Sequence, residues 1–68
     1  MNPEVLNLSV RRYLKKFGVT AQREIEQAVA EAVRQKRIQA DAKLSVAVRL
    51  TIPEIGFELT LDGTLELE

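Results

Sequence analysis

The stretch KKFGVTAQREIE, residues 15–26, decides the fold predicted for this sequence. Two lysines and a phenylalanine precede a glycine, and a threonine follows, so the stretch is typical of one helix ending and another beginning. Gly18 fits the left-handed C′ position, and Val19 would then contact Leu14 in a Schellman closure. Thr20 would cap the second helix. The stretch therefore predicts a corner between two helices, either a DNA-reading helix-turn-helix or a plain helical hairpin.

Both helices that flank this corner carry apolar residues at helical spacing. The first is predicted over about residues 3–17, with Asn2 as its N-cap and Pro3 in its first turn. The second is predicted over about residues 21–37. The two stripes comprise Leu6, Val10, Tyr13, Leu14 and Phe17 in the first helix, and Ile25, Ala28, Val29, Ala32 and Val33 in the second. Spacing of three and four residues predicts one buried face on each helix.

From Leu44 onward the apolar residues alternate with polar ones, which predicts half-buried strands. The predicted strands cover about residues 44–52, 57–61 and 65–68. Because a slip of one residue would turn every side chain to the wrong face, this alternation also predicts the turns.

The stretch PEIG, residues 53–56, is predicted to be a four-residue loop that sets Ile52 opposite Phe57. A two-residue loop would also preserve the alternation, but it needs a positive φ that proline cannot adopt. For the second turn, a three-residue loop over residues 62–64 sets Leu61 against Leu65, with Gly63 or a neighbour left-handed.

The predicted fold is α+β: an N-terminal helical hairpin packed on one face of a three-stranded antiparallel meander. Residues 1–68 are predicted to form a single domain. In this meander residues 44–47 have no partner. They are interpreted either as a frayed connector or as an exposed edge that pairs with another chain.

Composition excludes several kinds of function. The 68 residues include no cysteine and no histidine, so the sequence offers no disulfide, no thiolate ligand and no histidine base. No glycine-rich phosphate loop is present, and the acids of the last strands are interpreted as solvated rather than as a metal site. We therefore expect no enzymatic activity and no cofactor. A chain this short has a small core, which favours self-association, including a possible homodimer.

Charge is unevenly distributed although the net charge is zero. Residues 1–43 carry nine basic and five acidic groups, a net charge of +4, whereas residues 44–68 carry one basic and five acidic groups, a net charge of −4. This division predicts a helical layer and a sheet layer of opposite sign, or a face that binds a partner.

One face of the first helix is the candidate interaction surface. It is an apolar position surrounded by basic groups: Leu8, Arg11, Arg12, Lys15 and Lys16. The main interpretation is contact with an unidentified protein partner, and the alternative is binding of nucleic acid by the basic groups. Glu24, Glu26 and Glu31 would repel phosphate from the apparent recognition helix, which argues against DNA reading.

The stretches RRYLKKFGVTAQREIEQAV, residues 11–29, and LTIPEIGFELTLDGTLELE, residues 50–68, resemble a family of short bacterial proteins known only as a domain of unknown function. The resemblance covers nearly the whole chain. It implies a stand-alone bacterial cytoplasmic protein, and it implies no catalytic or binding residues.

Localisation is predicted from absences. The sequence has no apolar run of about 18 residues and no signal-peptide core near Met1, so we expect a soluble cytoplasmic protein without a membrane span. The sequence as a whole predicts a non-enzymatic protein-interaction module.

Overall fold

The computed structural model describes residues 1–68 and contains one long helix followed by one β-hairpin. Helix α1 spans Pro3–Arg34. Strand β1 spans Lys43–Ile52, a short 3₁₀ turn spans Pro53–Ile55, and strand β2 spans Phe57–Glu66. The architecture is α+β, as the change of periodicity predicts, but its elements differ from the predicted ones.

The start of α1 confirms the predicted cap. The side chain of Asn2 accepts hydrogen bonds from the backbone N–H groups of Glu4, at 2.9 Å, and Val5, at 3.3 Å. These bonds satisfy two of the N–H groups that a helix leaves unpaired in its first turn. Pro3 occupies the first helical position, where its missing N–H is not needed.

The predicted helical hairpin, with helices over 3–17 and 21–37, is wrong, because α1 continues through Gly18 without a break. Gly18 does not have a positive φ. A glycine inside a helix costs only about 1 kcal/mol relative to alanine. A break would instead leave four carbonyl groups and four N–H groups without helical partners at the new ends. Val19 and Thr20 therefore continue the helix rather than close one helix and cap another.

The closure predicted at Gly18 occurs instead at the far end of α1. Lys36 has a left-handed φ of 62°. Its N–H donates to the carbonyl of Val33 at 3.0 Å, and the N–H of Arg37 donates to the carbonyl of Ala32 at 2.9 Å. This pair of bonds defines a Schellman motif, here with lysine at the position that glycine usually occupies.

The hairpin confirms the predicted first turn. Ile52 pairs with Phe57, Leu50 with Leu59 and Val48 with Leu61, which is the register that the alternation predicts. Gly56 closes the turn in the left-handed conformation with a φ of 63°, and its N–H donates to the carbonyl of Pro53 at 3.2 Å.

The predicted three-stranded meander is wrong, because β2 does not turn at Asp62–Thr64. The strand continues and pairs residues 62–65 with residues 44–47, including Gly63 opposite Val46. The ten residues of β1 explain this outcome. A turn at 62–64 leaves the first residues of β1 without hydrogen-bonding partners, whereas a straight β2 satisfies them. Residues 44–47 are therefore paired strand, neither frayed connector nor free edge.

The chain divides into two compact units, Met1–Arg37 and Ile38–Glu68, which we call the helical unit and the hairpin unit. No residue in either unit is buried, so neither unit contains a hydrophobic core. The prediction that residues 1–68 form a single domain stays a prediction.

Candidate interaction surfaces

One face of the hairpin unit is entirely apolar, apart from a glycine. Side chains alternate across each strand, so the antiparallel register places one set of residues on a common face. We call this set the apolar sheet face: Leu44, Val46, Val48, Leu50 and Ile52 from β1, and Phe57, Leu59, Leu61, Gly63 and Leu65 from β2. Ile52, Phe57, Leu59 and Leu61 are 40–61% exposed. The other five side chains of this face, Leu44, Val46, Val48, Leu50 and Leu65, are half-buried, so the face is most exposed near the turn of the hairpin.

The opposite face of the hairpin is polar, as predicted. Arg49 donates a hydrogen bond to Glu58 at 2.8 Å, which forms a diagonal ion pair across the two strands. Lys43 pairs in register with Glu66, and Arg49 with Thr60. Both charged side chains of the ion pair are more than 60% exposed, so the pair adds little to stability. This polar face is stable in contact with water.

The apolar residues of α1 also form one face. Because the helix is continuous, the two predicted stripes join through Ala21, which lies four residues after Phe17 and four before Ile25. We call this set the helix stripe: Leu6, Val10, Tyr13, Leu14, Phe17, Ala21, Ile25, Ala28 and Ala32. Its large side chains, Leu6, Val10, Tyr13, Leu14, Phe17 and Ile25, are 36–58% exposed, and the half-buried Val29 and Val33 of the second predicted stripe lie beside it. A helix normally buries such a stripe against another element.

The predicted candidate surface on α1 lies on another side of the helix. Leu8 is 57% exposed, and Arg11, Arg12, Lys15 and Lys16 are exposed as well. None of these four basic groups forms an ion pair, since the two ion pairs of the chain join Arg34 to Glu31 and Arg49 to Glu58. We call these five residues the basic surface. They lie within three helical turns of one another, and their function stays a prediction.

The last turns of α1 contain the only side-chain network on the helix. Arg34 donates to both carboxylate oxygens of Glu31, and Gln35 donates to the same carboxylate at 2.9 Å. The hydrogen bonds from Arg34 lower the pKa of Glu31, and a smaller opposing effect comes from desolvation. Glu31 in turn raises the pKa of Arg34. The network supports the helix end at which Lys36 takes its left-handed conformation.

The chain contains no group of three or more acidic, histidine or cysteine side chains placed to hold a metal ion. No helix combines the length and the apolar character needed to cross a bilayer.

The sequence contained a signal for the helix stripe that the predicted corner concealed. The apolar stripes before and after Gly18 were interpreted separately, as two faces buried in one core. Phe17, Ala21 and Ile25 follow one another at intervals of four, so apolar residues recur at helical spacing across Gly18. Such recurrence across a glycine is compatible with one continuous helix.

The fold and surfaces define a small α+β chain in which one helix and one hairpin each carry exposed apolar side chains on one face. The chain belongs to a family of unknown function, DUF6494, whose sequence profile matches residues 1–68. This match confirms the resemblance inferred from the two quoted stretches. Comparisons with curated proteins and with solved structures found no match.

Proposed function

We propose that this protein is a non-enzymatic protein-interaction module that associates with copies of itself. The observation that carries the proposal is the exposure of two apolar faces, the apolar sheet face and the helix stripe, in a chain with no buried residue. Burial of apolar surface contributes about 25 cal/mol per Å², so these faces gain most from a protein partner.

The hairpin unit supports this proposal by itself. A two-stranded hairpin is marginally stable in water and needs another element against its apolar face. Alternation along β1 and β2 separates that face completely from the polar one. Monomeric proteins rarely expose continuous apolar patches of this kind, and larger ones mark interaction sites.

Charge favours contact between the helical unit of one copy and the hairpin unit of another. The helical unit carries eight basic and four acidic groups, a net charge of +4, and the hairpin unit carries two basic and six acidic groups, a net charge of −4. Opposite potentials steer encounter between unlike surfaces and suppress contact between like ones. The basic surface on α1 remains our proposed site for an acidic region of a partner.

The test is sedimentation velocity over a concentration series, with two variants that place the same charge on opposite faces of β2. Leu59→Glu inserts a carboxylate into the apolar sheet face, whereas Thr60→Glu inserts it into the polar face. We expect the unmodified chain and Thr60→Glu to associate, and Leu59→Glu to require at least a tenfold higher concentration. Circular dichroism confirms that each variant keeps its helix.

Two results would contradict this proposal. The unmodified chain could sediment as a strict monomer at high micromolar concentration, which removes self-association. Leu59→Glu and Thr60→Glu could also weaken association equally, which removes the apolar sheet face as its cause.

A second function, binding of nucleic acid, is proposed because the basic surface has no acidic ion-pair partner. Four unpaired basic groups within two helical turns of α1 can neutralise phosphates, and such binding weakens as salt rises. Titration with mixed-sequence duplex DNA at low salt should then shift the amide signals of residues 8–16. The double variant Arg11→Gln/Arg12→Gln should bind more weakly than Arg23→Gln, which removes a charge outside the surface. Unchanged signals would eliminate this function.

A further inference from the structure

The first half of the helix stripe is an apolar face without charged residues. We call its large side chains the N-terminal stripe: Leu6, Val10, Tyr13, Leu14 and Phe17, which are 40–58% exposed. They recur at intervals of three and four, so they share one side of α1. The second half differs, because Glu24 lies seven residues after Phe17 and therefore on the stripe side. The N-terminal stripe is thus the part of α1 best suited to an apolar partner surface.

The apolar sheet face matches the N-terminal stripe in size. From Leu44 to Ile52 the face is about 27 Å long, since a strand rises about 3.4 Å per residue. The N-terminal stripe is about 17 Å long, at about 1.5 Å per helical residue. A helix is about 10 Å wide and two paired strands lie about 4.8 Å apart, so one helix covers both strands. One apolar sheet face can therefore cover the whole N-terminal stripe.

The hairpin of the same chain cannot reach most of the N-terminal stripe. Helix α1 is continuous to Arg34, and the connector after it is closed by the Schellman motif and by a hydrogen bond from the N–H of Ala42 to the carbonyl of Gln39 at 3.1 Å. A face about 27 Å long that folded back from the end of α1 would span about 18 helical residues, back to about residue 16. Residues Leu6 to Leu14 lie beyond this point, so only another molecule can cover them.

Charge favours the same part of α1. Residues 3–18 carry four basic groups and one acid, a net charge of +3, whereas residues 19–34 carry two basic groups and three acids, a net charge of −1. The hairpin unit has a net charge of −4, so the first half of a helix attracts it and the second half repels it. The half that attracts a hairpin is the half that its own hairpin cannot reach. This combination points to the hairpin unit of a second copy.

We infer that two copies of this protein exchange hairpins, with the apolar sheet face of each copy packed on the N-terminal stripe of the other. This inference rests on the proposed self-association and specifies the two surfaces that meet. Once one contact has formed, the second forms within the same complex, where the effective concentration of the two surfaces is high. The pair is therefore closed, with two identical contacts related by a two-fold axis, and a third copy finds no free face.

Mixing two variants tests the exchange. Val10→Glu damages the N-terminal stripe, and Leu59→Glu damages the apolar sheet face. Each variant alone should need at least about a tenfold higher concentration to dimerise, because a carboxylate is then buried without a partner in both contacts. In an equimolar mixture, one contact joins the intact stripe of the Leu59→Glu chain to the intact face of the Val10→Glu chain. Sedimentation velocity should therefore show dimers in the mixture at a concentration where each variant alone is monomeric.

Two control variants introduce the same carboxylate outside the two surfaces. Val19→Glu places it on the side of α1 away from the stripe, where Val19 is 54% exposed, and Thr60→Glu places it on the polar face of the hairpin. Both should dimerise like the unmodified chain. Leu61→Glu replaces Leu59→Glu if circular dichroism shows that the hairpin is lost, since Leu61 is the most exposed side chain of the face, at 61%.

The outcomes separate this inference from the proposed function. If the unmodified chain and Val10→Glu dimerise equally well, the N-terminal stripe is not the covered surface, and the inference is overturned while self-association stands. A mixture as monomeric as its two components would overturn it too, since exchange leaves one contact intact. Growth of the unmodified chain beyond a dimer would overturn the closed pair. An unmodified chain that stays monomeric would overturn both the inference and the proposed function.

Discussion

The middle of α1 and its end differ in backbone conformation, and in each place the conformation is the one that the residue type favours less. At Gly18, a residue that permits left-handed conformations has a helical one, and a Cβ placed there would meet no atom within 4 Å beyond its neighbouring residues and the backbone of its own helix. At Lys36, a residue with a Cβ has a left-handed φ of 62° and closes a Schellman motif. The comparison shows that glycine permits a helix end but does not require one. The hydrogen bonds of the following residues decide where the helix stops.

The largest effect is expected from Val19→Pro. Proline inside a helix removes a hydrogen bond and clashes with the preceding turn, so this variant should lose about 3 kcal/mol of the free energy of unfolding. Just past a helix end proline is tolerated. Urea unfolding followed by circular dichroism, at fixed protein concentration, measures the difference, with Val19→Ala as the matched control. A Val19→Pro variant as stable as Val19→Ala would place a helix end at Gly18.

The hairpin offers the next largest effect, at its one left-handed glycine. Gly56→Ala puts a Cβ on a residue with a φ of 63° and should lose about 1–2 kcal/mol. Gly63→Ala is the control, because Gly63 lies in strand β2 and a Cβ there meets only Val46, at 3.4 Å. Thermal unfolding of the two variants compares them. If Gly63→Ala lost as much stability as Gly56→Ala, the straight course of β2 would be contradicted.

Gly18→Ala should stabilise the protein. Alanine is favoured over glycine inside a helix by about 1 kcal/mol, and open space surrounds the added methyl group. The midpoint of urea unfolding should therefore rise with an unchanged slope. Destabilisation of similar size would indicate the left-handed backbone of a corner.

The smallest effect is expected at Lys36. Lys36→Gly relieves the left-handed strain of a residue with a Cβ, although glycine loses more freedom on folding, so the net gain should be about 0.5–1 kcal/mol. Lys36→Ala removes the same charge and keeps the Cβ. Equal stability of the glycine and alanine variants would show that Lys36 is not left-handed in solution.

The helix start and the first turn of the hairpin were predictable, because in each case the local residues allow only one conformation. Asn2 followed by Pro3 strongly favours the start of a helix. The proline in PEIG allows only one loop length that preserves the alternation of apolar and polar residues. The corner at Gly18 and the turn at Asp62–Thr64 were not predictable in this way. Both rest on glycine, which is compatible with helix, strand and turn, and the outcome depends on pairing over longer distances.

The apolar sheet face and part of the helix stripe were predictable from the local spacing of apolar residues. Alternation along Leu44–Ile52 gives the apolar sheet face, and the spacing of Leu6–Phe17 gives the first half of the helix stripe. The prediction that these faces cover each other in one core assumed a chain that folds back at Gly18. Continuity of α1 instead places both halves of the stripe on one helix, where its large side chains are exposed.

The most direct test of this account is a measurement of α1 across Gly18 by nuclear magnetic resonance. An unbroken helix predicts contacts from the Hα of Phe17 to the amide of Thr20 and from the Hα of Gly18 to the amide of Ala21, together with helical carbon shifts at both residues. Absence of these contacts, with shifts typical of a left-handed Gly18, would contradict the continuous helix.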